Sequence, residues 1–153
     1  MSSIDARLQA LGIELPTPAV PAANYVPFVR TGNLLFVSGQ IPMGPKGIDF
    51  VGKLGADADV EFGRAAARLC AINLIAQVKA ATGDLGKLVR VVKLTGFVNS
   101  TGDFPDHPKV VNGASDLMVE VFGDAGRHSR SAVGVAALPF GVAVEVEGIF
   151  EIA

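Results

Sequence analysis

From residue 58 to 82, Phe62, Ala66, Leu69, Asn73, Ala76 and Ala80 recur at steps of three or four, the spacing of one helix face. Asp57, Asp59 and Glu61 precede this run, where negative charge complements a helix N-terminus, and Gly83 stands where a C-terminal cap belongs. The spacing predicts a long helix over 58–82, rich enough in alanine to pack closely on a sheet. Val111, Leu117, Met118, Val121 and Phe122, closed by Gly123, predict a second helix over about 109–122. A shorter one is predicted at the start, with Ile4, Leu8 and Leu11 on one face, Ser2 or Ser3 as cap and Gly12 as stop.

Elsewhere the period is two or the runs are β-branched. Segments 25–30 and 34–38 flank Thr31-Gly32-Asn33, a hairpin signal. Segment 89–99 carries Val91, Val92, Leu94, Phe97 and Val98, bulk that suits a strand. A run from Arg130 reaches Leu138-Pro139-Phe140-Gly141 and returns from Val142, which reads as two strands joined by a turn. In the last of them Val144 and Val146 share one face, Glu145 and Glu147 the other. Between these elements, 43–55 reads as a long loop with a short strand at 48–51, and 100–108 as a proline-rich loop. Residues 16–21, with three prolines, read as an extended linker. The order ββ(β)αβαββ favours an α+β domain: one mixed or antiparallel sheet with two helices on one face. Residues 1–24 form its N-terminal helix and linker, residues 25–153 the domain proper.

Length and composition sharpen this. A chain of 153 residues suits one core, and half of its residues are hydrophobic with only 18% charged. That apolar excess suggests that some surface meets another subunit. No apolar run reaches the length of a membrane span. The first residues lack the layout of a secretory signal, which sets the expectation of a cytoplasmic protein. A net charge of −2 with scattered Lys and Arg gives no footprint for nucleic acid. Cys70 is the sole cysteine, so no internal disulfide or cysteine-rich metal site is available, and its apolar neighbours make it a core residue.

Two blocks carry more than fold information. Arg130-Ser131, Leu138-Pro139 and Glu145-x-Glu147 follow one another in the C-terminal part, and Gly32-Asn33 leads into Ser38-Gly39-Gln40-Ile41-Pro42 in the N-terminal part. With these blocks the chain resembles the Rid family, also called YjgF-type reactive-intermediate deaminases, over about five-sixths of its length. The resemblance implies the chorismate-mutase-like fold and a homotrimer whose sheets form a barrel-like interior, with small carboxylate substrates bound in clefts between subunits. It implies hydrolysis of 2-enamine or 2-imine acids to 2-keto acids and ammonia, with no cofactor because the imine is already electrophilic.

The same resemblance assigns roles. Arg130 binds the substrate carboxylate, and its planar fork suits that task; by residue type alone it is equally a rim salt-bridge partner. Glu145 orients or activates the attacking water, with Glu147 as secondary candidate; without the resemblance, the two are a solvated strand face. Tyr25 closes over the ligand or is a core tyrosine with a satisfied hydroxyl. Ser38 is a pocket hydroxyl or a strand-end turn residue, and Asn112 a site residue or a helix cap. Ala132 departs from the cysteine common two positions after the arginine, and the N-terminal extension and the 101–109 loop are longer than in small members. Other functions to weigh are a non-catalytic, carboxylate-binding regulatory trimer and, further off, a ribonuclease, which calls for a basic groove and stacking aromatics.

Overall fold

The computed structural model describes residues 3–18 and 23–153. Its centre is helix α2 (Val60–Thr82), two residues shorter at its start than the spacing predicts because Asp59 is the cap. The Asp59 carboxylate accepts from the Phe62 N–H at 2.9 Å, and Gly83 closes the other end at φ +74° while donating to the Lys79 carbonyl. Helix α3 (His107–Phe122) begins before the predicted 109, since Pro108 fits the first turn, where an N–H has no helical partner anyway. The two helices approach closely at glycines. A Cβ on Gly113 would lie 2.8 Å from the Arg64 carbonyl carbon, and one on Gly63 would lie 2.9 Å from the Val110 side chain.

Both helices cover one face of a five-stranded sheet of order β1-β2-β7-β5-β6. The strands are β1 (Phe28–Thr31), β2 (Leu34–Gln40), β5 (Leu88–Asn99), β6 (Ser129–Val135) and β7 (Val144–Ile152). The sheet is mixed: β5 and β6 run parallel, and its other pairs are antiparallel. Although β6 and β7 follow one another in sequence, β5 lies between them, so Pro139–Gly141 belongs to a crossover rather than a hairpin. The strand expected at 48–51 is replaced by a small hairpin, β3 (Met43–Gly44) with β4 (Gly47–Ile48). Beyond it Phe50 turns to φ +53° and Val51 keeps a single bridge to Val142.

Leu35, Val37, Leu94, Val98, Val144, Val146 and Phe150 point from the sheet into the helix layer, with Cys70, Leu74 and Val111 across from them, all in the buried core. Burial pushes the Cys70 thiol well above its ordinary pKa, with the Glu145 charge adding to the effect; it is a core residue. Helix α1 (Ser3–Ala10) buries Leu8 in the same core and ties Arg7 Nη1 to the Val121 carbonyl at 3.2 Å. Ser2, one of the two expected caps, and the 19–21 part of the expected linker lie outside the described residues. Among the described residues no helix covers the sheet's opposite face, and Val29, Phe36 and Val133 are exposed there. Among the described residues no helix is long and apolar enough to cross a membrane.

Candidate functional site

Arg130 lies on β6, at the sheet's edge, opposite Leu94 of β5. Because Leu94 is wholly buried, alternation along the strand sends the arginine to the helix side. There α3 presents Asn112 and, three residues on, Ser115 on the same helix face. Arg130 Nη1 donates to Asn112 Oδ1 at 2.7 Å and to Ser115 Oγ at 3.2 Å. Those bonds use both hydrogens of one nitrogen. The Nε and Nη2 hydrogens have no partner among the described residues, leaving open the side of the fork that binds a carboxylate in two parallel bonds. Asn112 is therefore no helix cap: the cap position belongs to Asp106, and Asn112 sits well inside the helix. Nor does Arg130 form a rim salt bridge among the described residues.

His128 completes this cluster. Its Nδ1 is 2.6 Å from the Gly126 carbonyl and its Nε2 is 2.8 Å from Ser115 Oγ. Burial lowers its pKa; the bond to the Gly126 carbonyl opposes the shift, and the Arg130 charge adds to it. Burial and the Arg130 charge thus both favour the neutral imidazole.

A second group of residues gathers at the end of β2. The register between β2 and β7 slips between Val37 and Gln40, a bulge of the kind that re-aims side chains. Ser38 Oγ donates to the Val26 carbonyl at 2.8 Å, which leaves its lone pairs free. Glu145, half-buried on β7, lays its carboxylate against the bare Cα of Gly39. Burial raises the Glu145 pKa, and the neighbouring Glu147 raises it further, so this acid keeps its proton to higher pH than an ordinary glutamate. Tyr25 is 61% exposed, so it is not a core tyrosine, and Phe140 is 71% exposed at φ +58°. A bulky residue held in that left-handed region is strained. Tyr25, Ser38, Gly39 and Phe140 line one cleft of about 1120 Å³, which Arg68 and Gln77 of α2 also line.

These two groups do not meet within one protomer. Glu145 pairs with Phe97 and Arg130 with Leu94, and alternation along β5 puts those two positions on opposite faces. The residues are also two strands apart, about 9.6 Å, and offset by three residues, about 10 Å. One small acid cannot touch both. Among the described residues no group of His, Cys, Asp or Glu side chains is arranged to hold a metal ion.

Sequence reasoning missed Ser115, His128 and Phe140. The first two had a signal: Ser115 is one helical turn after Asn112, and His128 stands two residues before Arg130, just ahead of β6. Their bonds to one another depend on α3 lying beside β6, which no local pattern states. Phe140 was read as part of a turn, and its unusual φ could not be foreseen.

Comparison with known proteins agrees with this fold. Residues 5–149 match the family described as "YjgF/chorismate_mutase-like, putative endoribonuclease". The chain is 53% identical over 150 residues to Protein TCP17 of Trypanosoma cruzi, covering 97% of this chain and 94% of that one. It is 36% identical over 137 residues to the 2-iminobutanoate/2-iminopropanoate deaminase of Escherichia coli strain K12, covering 88% and 94%. The crystal structure of Atu1372 from Agrobacterium tumefaciens superposes with a TM-score of 0.91 at 52% identity, over 98% of this chain and 94% of that one. Sequence motifs, sheet topology and matched length converge, and this chain belongs to the YjgF/chorismate-mutase-like family.

Proposed function

We propose that the protein hydrolyses reactive 2-imino or 2-enamine carboxylic acids to 2-keto acids and ammonia, in clefts between the subunits of a homotrimer. The observation that carries this reading is the Arg130 guanidinium: Asn112 and Ser115 hold it by one nitrogen and leave its Nε–Nη2 side open. A carboxylate is the ligand that such a side matches. A relative named as a 2-iminobutanoate/2-iminopropanoate deaminase, 36% identical, supports the reaction class. The trimer supplies what one protomer lacks, since Arg130 of one subunit and Glu145 of the next can face a common cleft. The exposed apolar side chains of the open sheet face, Val29, Phe36 and Val133, are the surface such an assembly would cover.

In this mechanism the substrate carboxylate docks on Arg130 and the imine carbon comes to rest near Glu145 and Gly39. Water adds to that carbon while the Glu145 carboxylate takes its proton. The raised pKa then lets Glu145 return the proton to the nitrogen of the tetrahedral adduct. Glu145 then takes the hydroxyl proton of the adduct and hands it to the departing nitrogen, so that ammonia leaves as the carbonyl forms and the carboxylate is regenerated. Ser38 offers lone pairs to the imine N–H, and Tyr25 closes the cleft. No cofactor takes part, and with one buried cysteine the protein needs no oxidising compartment, in keeping with a cytoplasmic site of action.

The test is release of ammonia and 2-keto acid from 2-aminoacrylate and bulkier imino acids generated in situ, for wild type, Arg130→Ala and Glu145→Gln. Turnover is expected in the wild type alone, with all three proteins folded and in the same oligomeric state. No rate above the spontaneous one would leave a carboxylate-binding trimer in its place.

A further inference from the structure

We infer that Ser115 and His128 are positioning residues of the carboxylate site, forming with Arg130 a one-way chain of hydrogen bonds that keeps the arginine fork turned outward. The inference rests on the reading of Arg130 as the carboxylate-binding residue.

With the imidazole neutral, donors and acceptors permit only one arrangement of this chain. The Gly126 carbonyl can only accept, so His128 Nδ1, 2.6 Å away, carries the proton. In the neutral ring Nε2 is then an acceptor, and the Ser115 hydroxyl, 2.8 Å away, must donate to it. With its hydrogen committed, Ser115 Oγ turns its lone pairs to Arg130 Nη1 at 3.2 Å. A serine free to rotate would spend part of its time pointing a hydrogen at the guanidinium, and His128 removes that state. Besides Arg130, the charged residues that adjoin this chain in sequence are Asp116, after Ser115, and Arg127, before His128. Asp116 is engaged with Arg64 at 3.3 Å, and Arg127 pairs with Asp124 at 3.6 Å, so neither competes for the chain.

The consequence is a division of labour on α3. Asn112 and Ser115, one turn apart, saturate Nη1 from the helix side, and the carboxylate receives Nε and Nη2. Losing Ser115 frees one Nη1 hydrogen and lets the guanidinium swing about its Asn112 bond, which weakens ground-state and transition-state binding alike.

The experiment measures the Kd of 2-oxobutanoate by calorimetry, and kcat and KM for 2-iminobutanoate, on the intact oligomer. Wild type is compared with Ser115→Ala, Ser115→Thr, His128→Leu, the Ser115→Ala/His128→Leu double variant and Arg130→Ala. Ser115→Ala is expected to raise Kd and KM by about tenfold, the scale of one charge-assisted bond, with kcat within about twofold. Ser115→Thr restores binding because it keeps the hydroxyl, and the double variant is no weaker than Ser115→Ala, since the histidine acts only through the serine. A Ser115→Ala protein that binds as wild type while Arg130→Ala does not overturns the chain and leaves the carboxylate reading standing. Arg130→Ala binding as wild type overturns both. Equal loss in Ser115→Ala and Ser115→Thr, with unchanged melting temperature, also refutes the hydroxyl's role.

Discussion

Gly39→Ala is the change that should separate activity from stability. Gly39 has no positive φ, so the alanine backbone is unstrained. Its new Cβ would press on Glu145 Oε2 and lie 2.9 Å from Cδ and 3.1 Å from Cγ of the same side chain. Ordinary carbon contacts are about 3.5–4.0 Å, so the carboxylate must move by the better part of an ångström. It can do so by turning a half-exposed, flexible side chain, at about 0.5–1.5 kcal/mol for an off-rotamer angle. Replacing glycine in a strand returns about 0.5–1 kcal/mol of backbone entropy. Net stability therefore changes by under about 1 kcal/mol, which for a domain of this size is at most about 4 °C in Tm. Catalysis is less tolerant, and an ångström of misplacement costs about a hundredfold.

Gly113→Ala is the control of opposite character. There the Cβ meets the Arg64 backbone, 2.8 Å from its carbonyl carbon and 3.0 Å from its Cα. Two helices must part, so stability drops by about 1–3 kcal/mol. The assays are steady-state ammonia release and thermal melting by circular dichroism. Gly39→Ala with wild-type kcat would refute the placement of Glu145 at the reacting carbon. A melting loss as large as that of Gly113→Ala would refute the claim that the carboxylate yields.

Two further outcomes follow from the same geometry. Since burial raises the Glu145 pKa in the folded state, its contribution to stability is full below the unfolded value, about 4.3, and is lost as pH rises through the folded one. Glu145→Gln should therefore melt higher than wild type at pH 7 while losing turnover, with the gap closing as pH falls toward 4; a gap constant with pH would contradict this. Phe36→Glu, on the open sheet face and 41% exposed in the protomer, should give folded protomers by light scattering, since each subunit forfeits about 2 kcal/mol of aromatic burial. A persisting trimer would show that this face is not the interface.

Local pattern was enough to determine much of this protein. The period of α2 and α3, the Gly83 and Gly123 stops, the β-branched run of β5 and the face shared by Glu145 and Glu147 all follow from residues within a turn or two of one another. Backbone sterics and side-chain alternation act over that same range, so these elements were legible. The motifs around Ser38, Arg130 and Glu145 likewise carried the family. What lies across the chain was not legible: that β5 comes between β6 and β7, that β5 and β6 run parallel, and that the hairpin Met43–Ile48 replaces a strand at 48–51. Neither was the consequence of that strand order, which sends Arg130 to the helix face and Glu145 to the open one, nor the bond of Ser115 to His128. Those facts are set by which buried surfaces meet across long stretches of chain. That choice is made by the free energy of packing the whole core, to which any single segment contributes only a part.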